Sequence, residues 1–183
     1  SHPNVISIND LMDYRNFRSK LKPNHHVLIM GAGLIGCEYA NDLLNGGYSV
    51  TVVDPAKTAM NGLIPFEAGA ELAAGLQNGG AKMIFGHHVQ HIEALGDEKL
   101  CATLNNGLKT QCDLVISAIG LKANIELAAS AGIECHKGII TNDYLETSAK
   151  NVFALGDCAE TLGDVRLYVL PLIYPIHSYY ILP

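Results

Sequence analysis

The chain has 183 residues, a formal net charge of −6 and a sequence pI near 5.7. That acidic balance lacks the basic footprint a phosphate backbone requires, so no nucleic-acid partner is expected. Apolar residues make up 49% and charged residues 16%, the balance of a globular chain with room for one good core, or one domain and part of a second. No run reaches the roughly 18 uninterrupted apolar residues of a membrane span. The polar start Ser1-His2-Pro3-Asn4 has no apolar leader. The five cysteines, Cys37, Cys101, Cys112, Cys135 and Cys158, include no C-x-x-C pair, so spacing points to neither a redox dithiol nor zinc. An odd count without a leader reads as reduced thiols, which places the expected protein in the cytoplasm.

In chain order, residues 1–23 read as an approach segment with a helix over Ile8 to Leu21, capped by Asn9 or Asp10 and closed by Pro23. His25 to Met30 is a short apolar strand. After the glycine-rich run that follows, Cys37 to Leu44 has helical spacing and stops at Asn45-Gly46-Gly47. Tyr48 to Val53 is a second strand, closed by Asp54-Pro55. Phe66 to Leu76 is an alanine-rich helix, and Lys82 to Phe85 a third strand. The period then changes to two: Val89–Leu95 and Leu100–Leu104 alternate across Gly96-Asp97, and Asn105-Asn106-Gly107 turns the chain into Leu108–Cys112. Asp113 to Ile119 reads as a buried parallel strand. Beyond Gly120 come a short helix over Ala123 to Ala131, an extended piece at Gly138–Asn142 and a short strand at Val152–Leu155. The order predicts an α/β fold: a three-layer Rossmann-like domain with helices on both faces of a parallel sheet and a β-meander insertion.

Gly31-Ala32-Gly33-Leu34-Ile35-Gly36 ends a predicted strand and opens a predicted helix, and Asp54 stands 18 positions beyond the last glycine (54 − 36). Gly31 permits the tight turn, Gly33 lets backbone approach a pyrophosphate, and Gly36 lets the helix pack on the strand. The helix N-terminus offers free N–H groups to phosphate. Asp54 can accept hydrogen bonds from ribose hydroxyls, and its charge favours NAD over NADP, a preference that nearby Lys57 weakens. A glycine turn without a ligand, and an acid that merely caps a loop, are the structural alternatives. His87, His88 and His91 lie in a segment read as β, where they share a face poorly, so no metal site is expected. Neither G-x-S-x-G nor G-x-x-x-x-G-K-[ST] occurs, which leaves out an α/β-hydrolase and a P-loop nucleotidase.

Three segments together resemble the pyridine nucleotide–disulfide oxidoreductase superfamily of two-dinucleotide-fold flavoprotein reductases. They are Gly31 to Glu38, then Ala118-Ile119-Gly120-Leu121-Lys122-Ala123-Asn124, and a stretch running from Thr147-Ser148 through Asn151-Val152-Phe153-Ala154-Leu155-Gly156-Asp157-Cys158-Ala159. The run Gly31 to Leu43 is most similar to rubredoxin–NAD reductases. The resemblance implies that NADH lies on Gly31, Ala32, Gly33, Leu34, Ile35 and Gly36. It puts Glu38 on the first helical turn beside the nicotinamide–flavin stack, and Ile119 and Gly120 on the nicotinamide side. It implies that Gly156 and Asp157 belong to the flavin motif, with Asp157 bonding a ribityl hydroxyl. Electrons would pass by way of FAD to a protein acceptor such as rubredoxin.

The family begins with a separate FAD-binding unit, whereas this sequence has one G-x-G-x-x-G. The expected organisation is therefore an approach segment over 1–23, an NAD-binding domain over 24–121, a partial FAD-domain segment over 122–163 and an atypical truncated tail over 164–183. Pro175, Tyr179, Tyr180 and Pro183 occupy the place of an expected alanine-rich helix, which reads as a gene fragment or a reading-frame shift near His177. The alternative function is a non-catalytic NAD-binding module without flavin. A dehydrogenase of small substrates is weaker, because no motif places an acid–base pair beside the nicotinamide.

Overall fold

A computed structural model describes residues 2–96, 99–120 and 123–161, and the backbone of 164–165. The turn residue Asp97, Leu121 and Lys122 of the second family-like segment, and nearly all of the tail over 164–183 lie outside the described residues. The chain divides into two compact units, with the break between residues 121 and 122.

The first unit is built on a five-stranded sheet. Its elements in chain order are β1 (Val5–Ile6), α1 (Leu11–Lys20), β2 (His26–Met30), α2 (Leu34–Asn45), β3 (Ser49–Asp54), α3 (Phe66–Asn78), β4 (Lys82–Phe85), β5 (Val89–Leu95), β6 (Lys99–Leu104), β7 (Lys109–Cys112) and β8 (Leu114–Ser117). The sheet order is β1-β8-β2-β3-β4, parallel throughout, with Val27 opposite Val50 and Leu28 opposite Val115. Strands buried on both faces favour near-continuous apolar runs, and HVLIM, SVTVVD and LVIS supply them apart from buried Thr51 and polar residues at their ends.

Alternation then sorts the side chains. Val27, Ile29, Val50, Val52, Leu114 and Ile116 share one core with Phe17 of α1, Cys37, Ala40 and Leu43 of α2, and Ala73 and Leu76 of α3. Leu28, Val53 and Val115 face the other way, onto Leu100, Ala102, Leu104 and Cys112 of the β5-β6-β7 meander. The three helices thus share one face and the antiparallel meander covers the other. This corrects the expectation of helices on both faces, although the third layer itself is present. The meander can take a helix's place because its inward residues alternate with outward ones, giving it one apolar side.

Two further differences concern the ends. Residues 1–23 are more than an approach segment: β1 adds an edge strand on β8, and α1 packs Phe17 edge-on against Tyr39 of α2. The Lys20 ammonium donates to the Pro3 carbonyl and ties the end of α1 to β1. Helix α1 starts where Asp10 accepts from the N–H groups of Met12 and Asp13, both at 2.8 Å, so Asp10 is the cap.

The second unit contains α4 (Glu126–Ser130) and a small sheet in the order β11-β10-β9, from β9 (Ile139–Thr141), β10 (Ala159–Thr161) and β11 (Asp164–Val165). Strands β9 and β10 are parallel. The strand expected at Val152–Leu155 is absent; only a single bridge joins Phe153 to Glu146. The Thr147 N–H bonds the Val152 carbonyl at 2.9 Å and the Ala154 N–H bonds the Leu145 carbonyl at 3.0 Å, so pairing is limited to that one bridge, closed by a turn in which Asn151 takes φ 62°.

Candidate functional site

The carboxyl ends of β2, β3 and β8 meet at one edge of the parallel sheet. Chain order reverses at β2: β3 and β4 lie on one side, β8 and β1 on the other. Such a reversal opens a crevice beyond the strand ends, where ligands of α/β sheets bind. Gly31–Gly36 follow β2, Asp54 ends β3, and Ile119 and Gly120 follow β8 by two and three residues. The structure therefore brings together residues from three separated stretches of sequence.

Two of the glycines are demanded by close approach. Gly31 has φ +104°, and a Cβ there would overlap the Ala118 carbonyl of the neighbouring strand end. A Cβ on Gly36 would overlap the Gly31 carbonyl and touch Ile29. Gly33 differs: a Cβ there would meet nothing within 4 Å. A side chain there would extend into open space, so the glycine leaves its backbone uncovered. Gly33 is also the N-cap of α2, with no side chain capping the first turn, so the leading N–H groups at Leu34 and Ile35 have no intrahelical acceptor. The residues present thus fit a dinucleotide pyrophosphate.

The Asp54 carboxylate, half-buried, holds two backbone donors. Oδ2 accepts from the Ala32 N–H at 2.6 Å and Oδ1 from the Ala56 N–H at 2.7 Å. The Ala32 carbonyl in turn accepts from the Met60 N–H at 2.7 Å, while the Cys37 thiol lies 3.4 Å from the same oxygen. Gly31 N–H bonds the Val53 carbonyl at 2.8 Å. Burial pushes the Cys37 thiol up to about 11, with the Asp54 and Glu38 carboxylates adding to the effect, so it stays a neutral thiol under the loop. Lys57 is exposed in the segment after β3.

Glu38 is exposed, and it is the fifth residue of α2 rather than a member of its first turn, which contains no acid. That corrects its expected place by one residue and removes helix-dipole complementation as its main use. Ile119 is 75% exposed and Gly120 takes φ +119°, so the chain leaves β8 with its backbone accessible. In the second unit, Gly156 (φ +76°) starts a short 3₁₀ turn, Gly156–Cys158, that presents Asp157 to solvent. Glu160 follows on β10 and is buried. It bonds His136 Nδ1 at 3.0 Å and the Gly138 N–H at 2.8 Å, and these two contacts hold its carboxyl below the usual range. Sequence reasoning passed over Glu160 and Met60. Neither carries a local signal, because each acts through a backbone or buried contact with a residue distant in sequence. His87, by contrast, bridges Asn105 and Asn106 of the hairpin, at 3.2 Å to each.

The family model described as pyridine nucleotide-disulphide oxidoreductase matches residues 2–170. A rubredoxin-NAD(+) reductase of Alcanivorax borkumensis is 43% identical over 92% of this chain and 44% of its own length. One from Acinetobacter baylyi is 40% identical over 91% and 43%. A nitric oxide reductase FlRd-NAD(+) reductase of Aeromonas salmonicida is 36% identical over 92% and 44%. The chain thus spans less than half the length of the curated relatives it matches. Among solved structures, a ferredoxin reductase from Rhodopseudomonas palustris superposes with a TM-score of 0.80 at 32% identity, covering 88% of this chain and 40% of that one.

Proposed function

The chain belongs to the pyridine nucleotide-disulphide oxidoreductase family, and on that premise we propose that it is the NADH-binding part of a flavoprotein reductase passing electrons by way of FAD to a protein acceptor such as rubredoxin. Residues 24–121 are the NAD-binding domain, and 122–163 a segment of the FAD domain. The observation that carries this reading is the loop at Gly31–Gly36: two glycines are consumed by close packing, while Gly33 leaves open space before an uncapped helix. NADH supplies a hydride that FAD accepts, and the protein's share is binding and orientation.

The N–H groups of Leu34 and Ile35 take the pyrophosphate. Asp54 retains lone pairs beyond its two backbone bonds, and these accept the adenosine ribose hydroxyls while its charge repels a 2′-phosphate. Lys57 softens that repulsion. Ile119 and Gly120 offer backbone to the nicotinamide side, Glu38 stands near the nicotinamide–flavin stack, and Asp157 with Gly156 bonds the ribityl chain. The names of the relatives, rubredoxin and FlRd reductases, support a small electron-transfer protein as acceptor. The odd number of cysteines and the lack of a C-x-x-C pair are what support placement in the cytoplasm.

A second reading is an NAD-binding module that works without flavin, favoured by one observation: every residue proposed to touch NADH lies in the first compact unit. A visible absorption spectrum of the purified chain, followed by anaerobic NADH, separates the two. Flavin bands that bleach with NADH support the reductase. A colourless chain that binds NADH in a fluorescence titration, at least about tenfold more tightly than NADPH, supports the module. No NADH binding at millimolar concentration overturns both.

A further inference from the structure

We propose that Asp54 is a positioning residue for the glycine loop as well as a ribose contact: through the Ala32 N–H, its carboxylate sets the loop before any nucleotide arrives. The role in binding rests on the NADH reading above; the hold on Ala32 does not.

Three observations carry it. The Asp54 Oδ2–Ala32 N distance of 2.6 Å is short, as expected where the acceptor is ionised. Ala32 is only 1% exposed, so in the folded chain the carboxylate and not water serves that N–H. Finally, Ala32 is gripped from both ends, since its carbonyl takes the Met60 N–H at 2.7 Å. Met60 itself adopts φ +51°, a left-handed conformation uncommon for a residue with a side chain, and its neighbour Ala59 is fully buried. The segment after β3 therefore folds back so that an acid at its start and an amide six residues later (60 − 54) close on one alanine. The other oxygen of Asp54 secures that same segment through the Ala56 N–H at 2.7 Å. One carboxylate thus fixes both walls of the crevice, the loop after β2 and the turn after β3.

The consequence concerns cofactor preference. An acid at this position is ordinarily read as a sensor of the ribose hydroxyls alone, which a neutral residue could replace to admit a 2′-phosphate. Here the same replacement releases Ala32, leaving a buried N–H without an acceptor and the pyrophosphate cradle unset. Asp54→Ala therefore weakens NADH without improving NADPH.

The deciding measurement is amide hydrogen exchange by NMR on the ligand-free chain. In Asp54→Ala the Ala32 amide is expected to exchange at least about tenfold faster, while the amides of Ile29 and Val52 stay as protected as in the unsubstituted protein. Unchanged protection at Ala32 overturns the proposal. Should Asp54→Ala lose protection throughout, the unsubstituted chain still decides: a scalar coupling across the hydrogen bond between the Ala32 amide nitrogen and the Asp54 carboxyl carbon is expected, and its absence overturns the hold. Fluorescence titrations then test the consequence. An NADH Kd raised tenfold or more, with no gain for NADPH, supports it. An Asp54→Ala variant that binds NADPH as tightly as the parent binds NADH overturns it. A parent chain that binds no NADH sinks the proposed function while the Ala32 amide still reports on the hold.

Discussion

His26 and Asp113 meet where β2 begins. The Asp113 carboxylate, 4% exposed as a residue, accepts the His26 N–H at 2.8 Å and pairs with Lys99 at 2.5 Å, while the Asp113 N–H bonds the His26 carbonyl at 2.9 Å. The His26 ring lies 2.9 Å from the Thr51 hydroxyl. Burial lowers the His26 pKa, and this outweighs the opposing pull of the Gln111 backbone and of Asp113. For Asp113 burial works against ionisation, but the hydrogen bonds from Lys99 and His26 prevail and hold its carboxyl below the ordinary range. Both shifts have the same sign for stability. The unfolded chain binds the extra proton first, so stability is complete above the unfolded pKa and declines as the pH falls towards the folded one. For His26 that decline starts near pH 6.5, and for Asp113 near 3.8. We expect the urea midpoint to fall between pH 7.5 and 5.5, and to fall less in His26→Gln. Equal declines in both proteins would assign the loss to other histidines. Such a site is invisible in sequence, where His25 and His26 simply open a short apolar strand; the acid that His26 meets is 87 residues away.

At the scale of elements, periodicity identified most strands and helices, because each turns on residues adjacent in the chain. Helix α3 begins at Phe66 and β4 spans Lys82–Phe85, as the alanine-rich run and the apolar triplet Met83-Ile84-Phe85 imply. Strand β1 escaped because two residues show no alternation; only its pairing with Val115 and Ile116 makes it a strand. The meander's strands were legible and its location was not, since a period of two says that one face is apolar but not which layer it covers. Lys99 on β6 provides part of the join, through its pair with Asp113 beside β8. Replacing Lys99 by Met leaves that carboxylate without its cation. The loss should be about 1–2 kcal/mol by urea unfolding, at the modest end because the Lys99 side chain is 55% exposed and water screens what remains. With Asp113→Asn already in place, Lys99→Met should cost much less. Strictly additive losses would show that the pair contributes nothing to docking the meander.

For the whole molecule, every residue proposed to touch NADH, from Gly31 to Gly36, with Asp54, Lys57, Ile119 and Gly120, lies in the first unit. Both apolar cores are likewise composed of residues between Val5 and Ala118. A unit that buries its own core and closes its own sheet carries the conditions for folding alone. Its glycine loop was legible because close packing at Gly31 and Gly36 imposes glycines at fixed spacing. The Asp54–Ala32 bond was not, since a residue 22 positions from its partner leaves no periodic trace. Residues 1–121 expressed by themselves should therefore show cooperative unfolding and bind NADH within about threefold of the full chain, roughly 0.7 kcal/mol. A folded 1–121 unit that has lost NADH affinity would place part of the nucleotide site beyond residue 121, and the proposed boundary of the NAD-binding domain would move with it. Retained affinity would leave Gly156 and Asp157 with the flavin alone.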